Sequence, residues 1–125
     1  MAGIVFVRTN DLERLRGFYI DRVGMESWLE QPRIAILSHE NLLVGFHETE
    51  DVDRDSLITF WYRSRAEVDA MHAQFRDCAL TEPAVNSTFG IYNFFATDPD
   101  GRKIEFQAFL HDTREVSGVP PLSPA

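Results

Sequence analysis

Residues 96–109 read ATDPDGRKIEFQAF, and Glu105 stands among apolar residues in what is otherwise a buried-strand pattern. Side chains of a strand alternate between faces, so Ile104 and Phe106 share one face while Glu105 and Gln107 share the other. A carboxylate buried on both sides is costly unless it is paired or bound to something. The second face is therefore expected to border water or a cavity. Upstream, Ile91–Ala96 (IYNFFA) reads as a partner strand, and DPDG as the tight turn between, with Pro99 fixing φ and Gly101 accepting a positive φ. Lys103–Phe109 then closes a hairpin.

Working back from the hairpin, Leu57–Tyr62 (LITFWY) has strand composition. Ser64 and Glu67 stand at capping-box spacing before a helix that carries Val68, Met71 and Phe75. The N-terminal half repeats this order. Gly3–Arg8 (GIVFVR) is a strand. Asn10 or Asp11 can cap the next helix, and Asn10 with Glu13 has capping-box spacing. Leu12, Leu15, Phe18, Tyr19 and Val23 form an apolar stripe, and Gly24 is placed to end it. Strands follow at Met25–Gln31, Arg33–Leu37 and Leu42–His47, with turns at Pro32 and Ser38–Asn41.

The helices align at an offset of 56 (Leu12 to Val68) and the final hairpins at about 60, which brings Phe46 over Phe106. Each copy reads β-α-β-β-β. The expectation is an α+β fold in which two βαβββ repeats, units 3–49 and 56–110, build one domain over 1–110 with a cupped mixed sheet. Each helix covers only one sheet face, which leaves the other to form the cup. Glu48–Asp55 (ETEDVDRD) reads as an acidic, solvated linker that lacks the spacing of a calcium loop. Residues 111–125, with Pro120, Pro121 and Pro124, read as a Pro-rich arm or frayed end.

The bulk numbers agree with one compact domain. The chain has 125 residues, 44% of them hydrophobic and 26% charged. Its net charge of -8 argues against nucleic acid as a partner, because phosphate recognition needs a surplus of Lys and Arg. The single cysteine, Cys78, excludes an internal disulfide and fits a reducing compartment. No apolar run approaches the length of a membrane span and the N-terminus lacks the pattern of a signal peptide, so no membrane partner and a cytoplasmic location are expected.

The segments DLERLRGFY, the Gly24 that follows, and DPDGRKIEF resemble the vicinal oxygen chelate superfamily. It includes glyoxalase I, extradiol dioxygenases, and fosfomycin- and bleomycin-resistance proteins. The resemblance covers roughly residues 3–110. It implies a cupped sheet, commonly in a homodimer, which is also the expectation for this chain, and in the metal-dependent members a divalent ion held by a few His and Glu side chains. Glu105 stands at the metal-binding Glu position of the last strand. The other two positions fall on Ile4 and Leu57, where a slip of one residue would give Ser56 or Ile58, and Gly45 is the first-unit counterpart of Glu105. One carboxylate does not make such a site, since about three protein ligands are needed. His47, two residues after Gly45, is the best placed histidine; His39 is read in a turn, His72 on the helix and His111 in the tail. Glu105 and His47 are thus the weak candidates for metal ligands, and no cofactor is expected.

By alternation the cup face carries Ile4, Phe6 and Arg8, then Leu57, Thr59 and Trp61, with His47, Glu105 and Gln107. One alternating set of Ile91–Ala96 joins them, and Trp28 is a further candidate. Aromatic walls with a few polar groups suit a small-molecule pocket. The expected ligand-binding residues are Phe6, Arg8, Trp61, His47, Glu105 and Gln107, with Arg8 a possible partner for Glu105. The reading is a metal-independent protein of the bleomycin-resistance/glyoxalase-like type that binds a small aromatic or cationic organic ligand. The alternatives are a metal-dependent lyase, isomerase or dioxygenase, and a structural or interaction homodimer without a ligand.

Overall fold

A computed structural model describes residues 2–116, so the prolines expected to form the C-terminal arm lie outside the described residues. Within them the chain divides into two compact units, residues 2–56 with 98–102, and residues 57–97 with 103–116.

The first unit runs β1 (Val5–Thr9), α1 (Leu12–Phe18), a π-helical turn (Tyr19–Val23), β2 (Glu26–Gln31), β3 (Ile34–His39) and β4 (Leu42–Glu48). Its sheet has the order β1-β4-β3-β2, with β1 parallel to β4 and the other pairs antiparallel. The cap of α1 is Asp11, whose carboxylate accepts the Arg14 amide at 3.2 Å. The expected pairing of Asn10 with Glu13 is displaced by one residue, and Asp11 places a negative charge at the helix's positive end. The π turn keeps Tyr19 and Val23 on the buried stripe with Leu15 and Phe18, while Leu12 stays half-buried. Gly24, at φ 93°, ends it, and its N–H reaches the Tyr19 carbonyl at 3.1 Å.

Val7, Leu37, Val44 and Phe46 meet this stripe from the sheet, and Tyr19 stacks on Phe46 with centroids 4.8 Å apart. Two expectations change here. His39 is the last residue of β3 rather than part of a turn, and its burial lowers its pKa from the ordinary value. Trp28 sits at a β-bulge between Ser27 and Leu29 on the outermost strand and is 54% exposed, so alternation does not assign it to the sheet face that carries Phe6.

The second unit runs β5 (Ile58–Tyr62), α2 (Arg65–Gln74), β6 (Ala84–Asn86), β7 (Ile91–Thr97) and β8 (Lys103–Phe109). Its order, β5-β8-β7-β6 with β5 parallel to β8, repeats that of the first unit. Ser64 caps α2 by accepting the Glu67 amide at 3.2 Å. The core centres on Phe106, whose ring lies 4.9 Å from Phe75, 5.0 Å from Phe94 and 5.7 Å from Phe60. The fold is α+β, two βαβββ units of one topology.

The DPDGR turn belongs with the first unit. Asp98 accepts the Tyr19 hydroxyl at 2.7 Å, the Arg102 guanidinium at 2.6 Å, and the backbone N–H groups of Asp100 and Arg102. Arg102 is fully buried, and its remaining N–H groups donate to the Asp53 and Arg8 carbonyls. Burial and the Asp98 charge push the Tyr19 phenol far above its ordinary pKa. Asp53, read in the sequence as part of a solvated linker, is thus built into the cluster. Removing one partner of a buried ion pair strands the other charge, at a cost of about 3–5 kcal/mol, whereas a largely exposed pair contributes at most about 1 kcal/mol. Urea unfolding of Arg102→Met should show the former loss. Arg14→Ala, which removes a half-exposed arginine 3.5 Å from Asp100, should show the latter.

Candidate functional site

The register of the second sheet places each side chain of the site. Ile104, Phe106 and Ala108 are buried on the face that meets α2. Glu105 and Gln107 are on the opposite face. Glu105 stands beside Thr59 of β5 on one flank and Phe95 of β7 on the other, while Gln107 stands beside Trp61 and Asn93. The set of β7 residues sharing this face is therefore Ile91, Asn93 and Phe95.

Glu105 is only 7% exposed, and two neutral groups hold its carboxylate. Thr59 Oγ1 donates to Oε1 at 2.8 Å, and Asn93 Nδ2 donates to Oε2 at 2.6 Å. Arg8, expected as a possible partner, instead pairs with Asp53 within the first unit at 3.6 Å. Backbone geometry favours that choice, because the Arg8 N–H also donates to the Asp53 carboxylate at 3.1 Å.

In front of Glu105 the second unit forms a cavity of about 540 Å³. Leu57, Phe89, Ile91, Phe95 and Phe109 supply its apolar lining, and Asn86, Asn93, Glu105 and Gln107 its polar groups. Of the six ligand-binding residues read from the sequence, Glu105 and Gln107 line it. Trp61, beside Gln107 on the same sheet face, is not part of the lining and packs edge-on against Phe109 with centroids 5.8 Å apart. Phe6, Arg8 and His47 share one face of the first unit's sheet, since Phe6 pairs with Gly45 and Arg8 with His47. Asn93 and Phe95 follow from strand parity once the turn fixes the hairpin register. Asn86 and Phe89 lie on and just after the three-residue β6, where no hydrophobic period marks a face.

The two parallel strand pairs define an internal equivalence. Phe6 is opposite Gly45 in the first unit, and Thr59 is opposite Glu105 in the second. By the same register Ile4 corresponds to Leu57. In the first unit the Phe6 ring lies directly over Gly45, where an added Cβ would fall 2.4 Å from a ring carbon. In the second, the small Thr59 leaves room for Glu105 and hydrogen-bonds to it. Large against none has become small against large.

Metal-dependent members of the resembling superfamily need several ionisable or imidazole donors, and the residues at these positions do not fit. Ile4 and Leu57 carry no donor atom, and Gly45 carries no side chain. Glu105 is surrounded in its unit by a hydroxyl and amides, which are poor ligands for such ions. Among the described residues no group of three or more His, Cys, Asp and Glu is arranged to hold a metal ion.

A methyl group at Gly45 must displace the Phe6 ring, which is 51% exposed and has solvent to swing into, so the cost falls at or below the low end of the about 1–3 kcal/mol of overpacking a closed core. Gly45→Ala should destabilise the protein by at most about 1 kcal/mol in urea unfolding. In a Phe6→Ala background the same change should cost markedly less, and the double-mutant cycle measures the coupling.

No protein-family model matches the sequence, and no curated protein matches it. Solved structures do share the fold. An integron cassette protein from the mobile metagenome of the Halifax Harbour sewage outfall is 19% identical, with a TM-score of 0.77 over 87% of this chain and 98% of that one. A glyoxalase/bleomycin resistance protein/dioxygenase family enzyme from Burkholderia phytofirmans PsJN is 16% identical, with a TM-score of 0.75 over 86% and 97% of the two chains. Lactoylglutathione lyase from Agrobacterium tumefaciens is 17% identical, with a TM-score of 0.72 over 86% and 92%. At these identities the likeness establishes the fold, that of the glyoxalase/bleomycin resistance/dioxygenase proteins. No helix among the described residues is long and apolar enough to cross a membrane.

Proposed function

We propose that this chain, with the glyoxalase/bleomycin-resistance fold, binds a small aromatic or cationic organic molecule without the help of a metal ion. The observation that carries this reading is the cavity in front of Glu105, about 540 Å³ in volume, walled by three phenylalanines and floored by one carboxylate and three amides. Pockets of roughly 300–1,000 Å³ with mostly apolar walls and a few placed polar groups are typical of small-molecule sites. Glu105 gives the cavity a negative centre, and the net charge of -8 favours the approach of a cation. Aromatic rings can hold the same guest by stacking and cation–π contact.

The fold also supports a metal-dependent lyase, isomerase or dioxygenase, since lactoylglutathione lyase shares it. The donor set at Glu105, Ile4 and Leu57 weighs against that alternative.

A thermal-shift screen with aromatic cations, neutral aromatic metabolites and divalent metals separates the two. A guest at about 100 times its Kd adds roughly 2.7 kcal/mol of stability, readily seen as a raised Tm. The reading expects an organic hit whose shift shrinks in Phe95→Ala and in Trp61→Ala, which loosens the Phe109 wall. Stabilisation by Mn²⁺ or Zn²⁺ alone, abolished in Glu105→Gln, would favour the enzyme.

A further inference from the structure

The hydrogen bonds of Glu105 leave a defined part of its carboxylate unused. An ionised carboxylate only accepts, with two lone pairs on each oxygen. Thr59 takes one on Oε1 and Asn93 takes one on Oε2, so one remains on each oxygen. β8 lies between β5 and β7, so Thr59 and Asn93 reach the carboxylate from opposite flanks of the sheet. The lone pairs left over belong to a carboxylate that lines the cavity.

Two further features narrow what those lone pairs can accept. Among the described residues no cation pairs with Glu105; Lys103, two residues earlier on the same face, lays its ammonium over the Phe95 ring at 4.4 Å from the centroid. Asn93 must present its NH₂ to an acceptor-only carboxylate, so its carbonyl oxygen is a third acceptor beside the same cavity.

From this geometry we infer that the site selects a planar cation with two adjacent N–H donors, an aryl amidinium or guanidinium, over a single-point ammonium. The inference rests on the small-molecule reading of the cavity and adds the chemical class of the ligand. A forked pair of N–H groups meets both carboxylate oxygens at once, which adds direction as well as strength to the charge-assisted bonds. The three lining phenylalanines offer ring surface to such a flat group. A tetrahedral ammonium reaches the same carboxylate through one nitrogen and leaves an acceptor unmatched.

The test compares benzamidine, benzylamine and neutral benzamide by calorimetric titration at neutral pH. Wild-type protein should bind benzamidine about tenfold or more tighter than either of the others. In Glu105→Gln that preference should fall to within about twofold. Equal binding of benzamidine and benzylamine overturns the inference and leaves the pocket standing, as does a preference that persists in Glu105→Gln. If none of the three binds while another compound of the broader screen does, the inference fails and the small-molecule reading survives. If nothing organic binds, both fail. The wild-type ratio decides the matter even if Glu105→Gln does not fold.

Discussion

The alternation of side chains along Lys103–Phe109 is the constraint from which the second unit takes its form. One face of this central strand gives Ile104, Phe106 and Ala108 to the core beneath α2, all essentially inaccessible to solvent. The other face is then committed to Glu105, Gln107 and Phe109, because a period of two admits no compromise. A slip of one residue would put the carboxylate among Phe60, Phe75 and Phe94 and expose three core residues. The hydrophobic core thereby fixes where the polar site can be, and the site follows from it without further design.

The same argument explains why the two units differ while sharing one topology. Phe6 over Gly45 and Thr59 beside Glu105 occupy matching places, and in each pair the size of one side chain dictates that of the other. A carboxylate at residue 45 would have to expel an aromatic ring; a phenylalanine at residue 59 would fall where the Glu105 hydrogen bond is made. The first unit has spent this position on an aromatic ring over a glycine and the second on a hydrogen-bonded carboxylate. The buried Asp98–Arg102 pair belongs to a different layer of the structure. Its charges are satisfied by Tyr19, Asp53 and backbone groups, so it specifies the fold of the turn and offers nothing to a ligand.

Much of this was legible from residues alone, and the failures have physical causes. Residue composition and the turn residues between segments marked the strands except β6, which is only three residues long and too short to show a pattern. Parity along the final strand identified Glu105 and Gln107 as residues of the open face. It could not choose between the two alternating sets of β7, because that choice depends on the exact register set by the turn. Asn93, the residue that orients the carboxylate, was missed for that reason. The burial of Arg102 and Asp53 was missed because charged residues in a turn and in an acidic run ordinarily face water. Asp98 is four residues from Arg102, but local sequence carries no sign of the other groups that close the cluster, Asp53 and Arg8, which lie 49 and 94 residues away along the chain.

The central claim is that the Glu105 cavity recognises an organic guest with protein groups alone. Equilibrium dialysis of an aromatic cation found in the screen, against chelator-treated protein and against the same protein resupplied with Mn²⁺ or Zn²⁺, addresses it most directly. The account predicts one site per chain with the same affinity in both samples, and metal content well below one equivalent after dialysis. Binding that is absent from the chelated protein and restored in proportion to bound metal would contradict it.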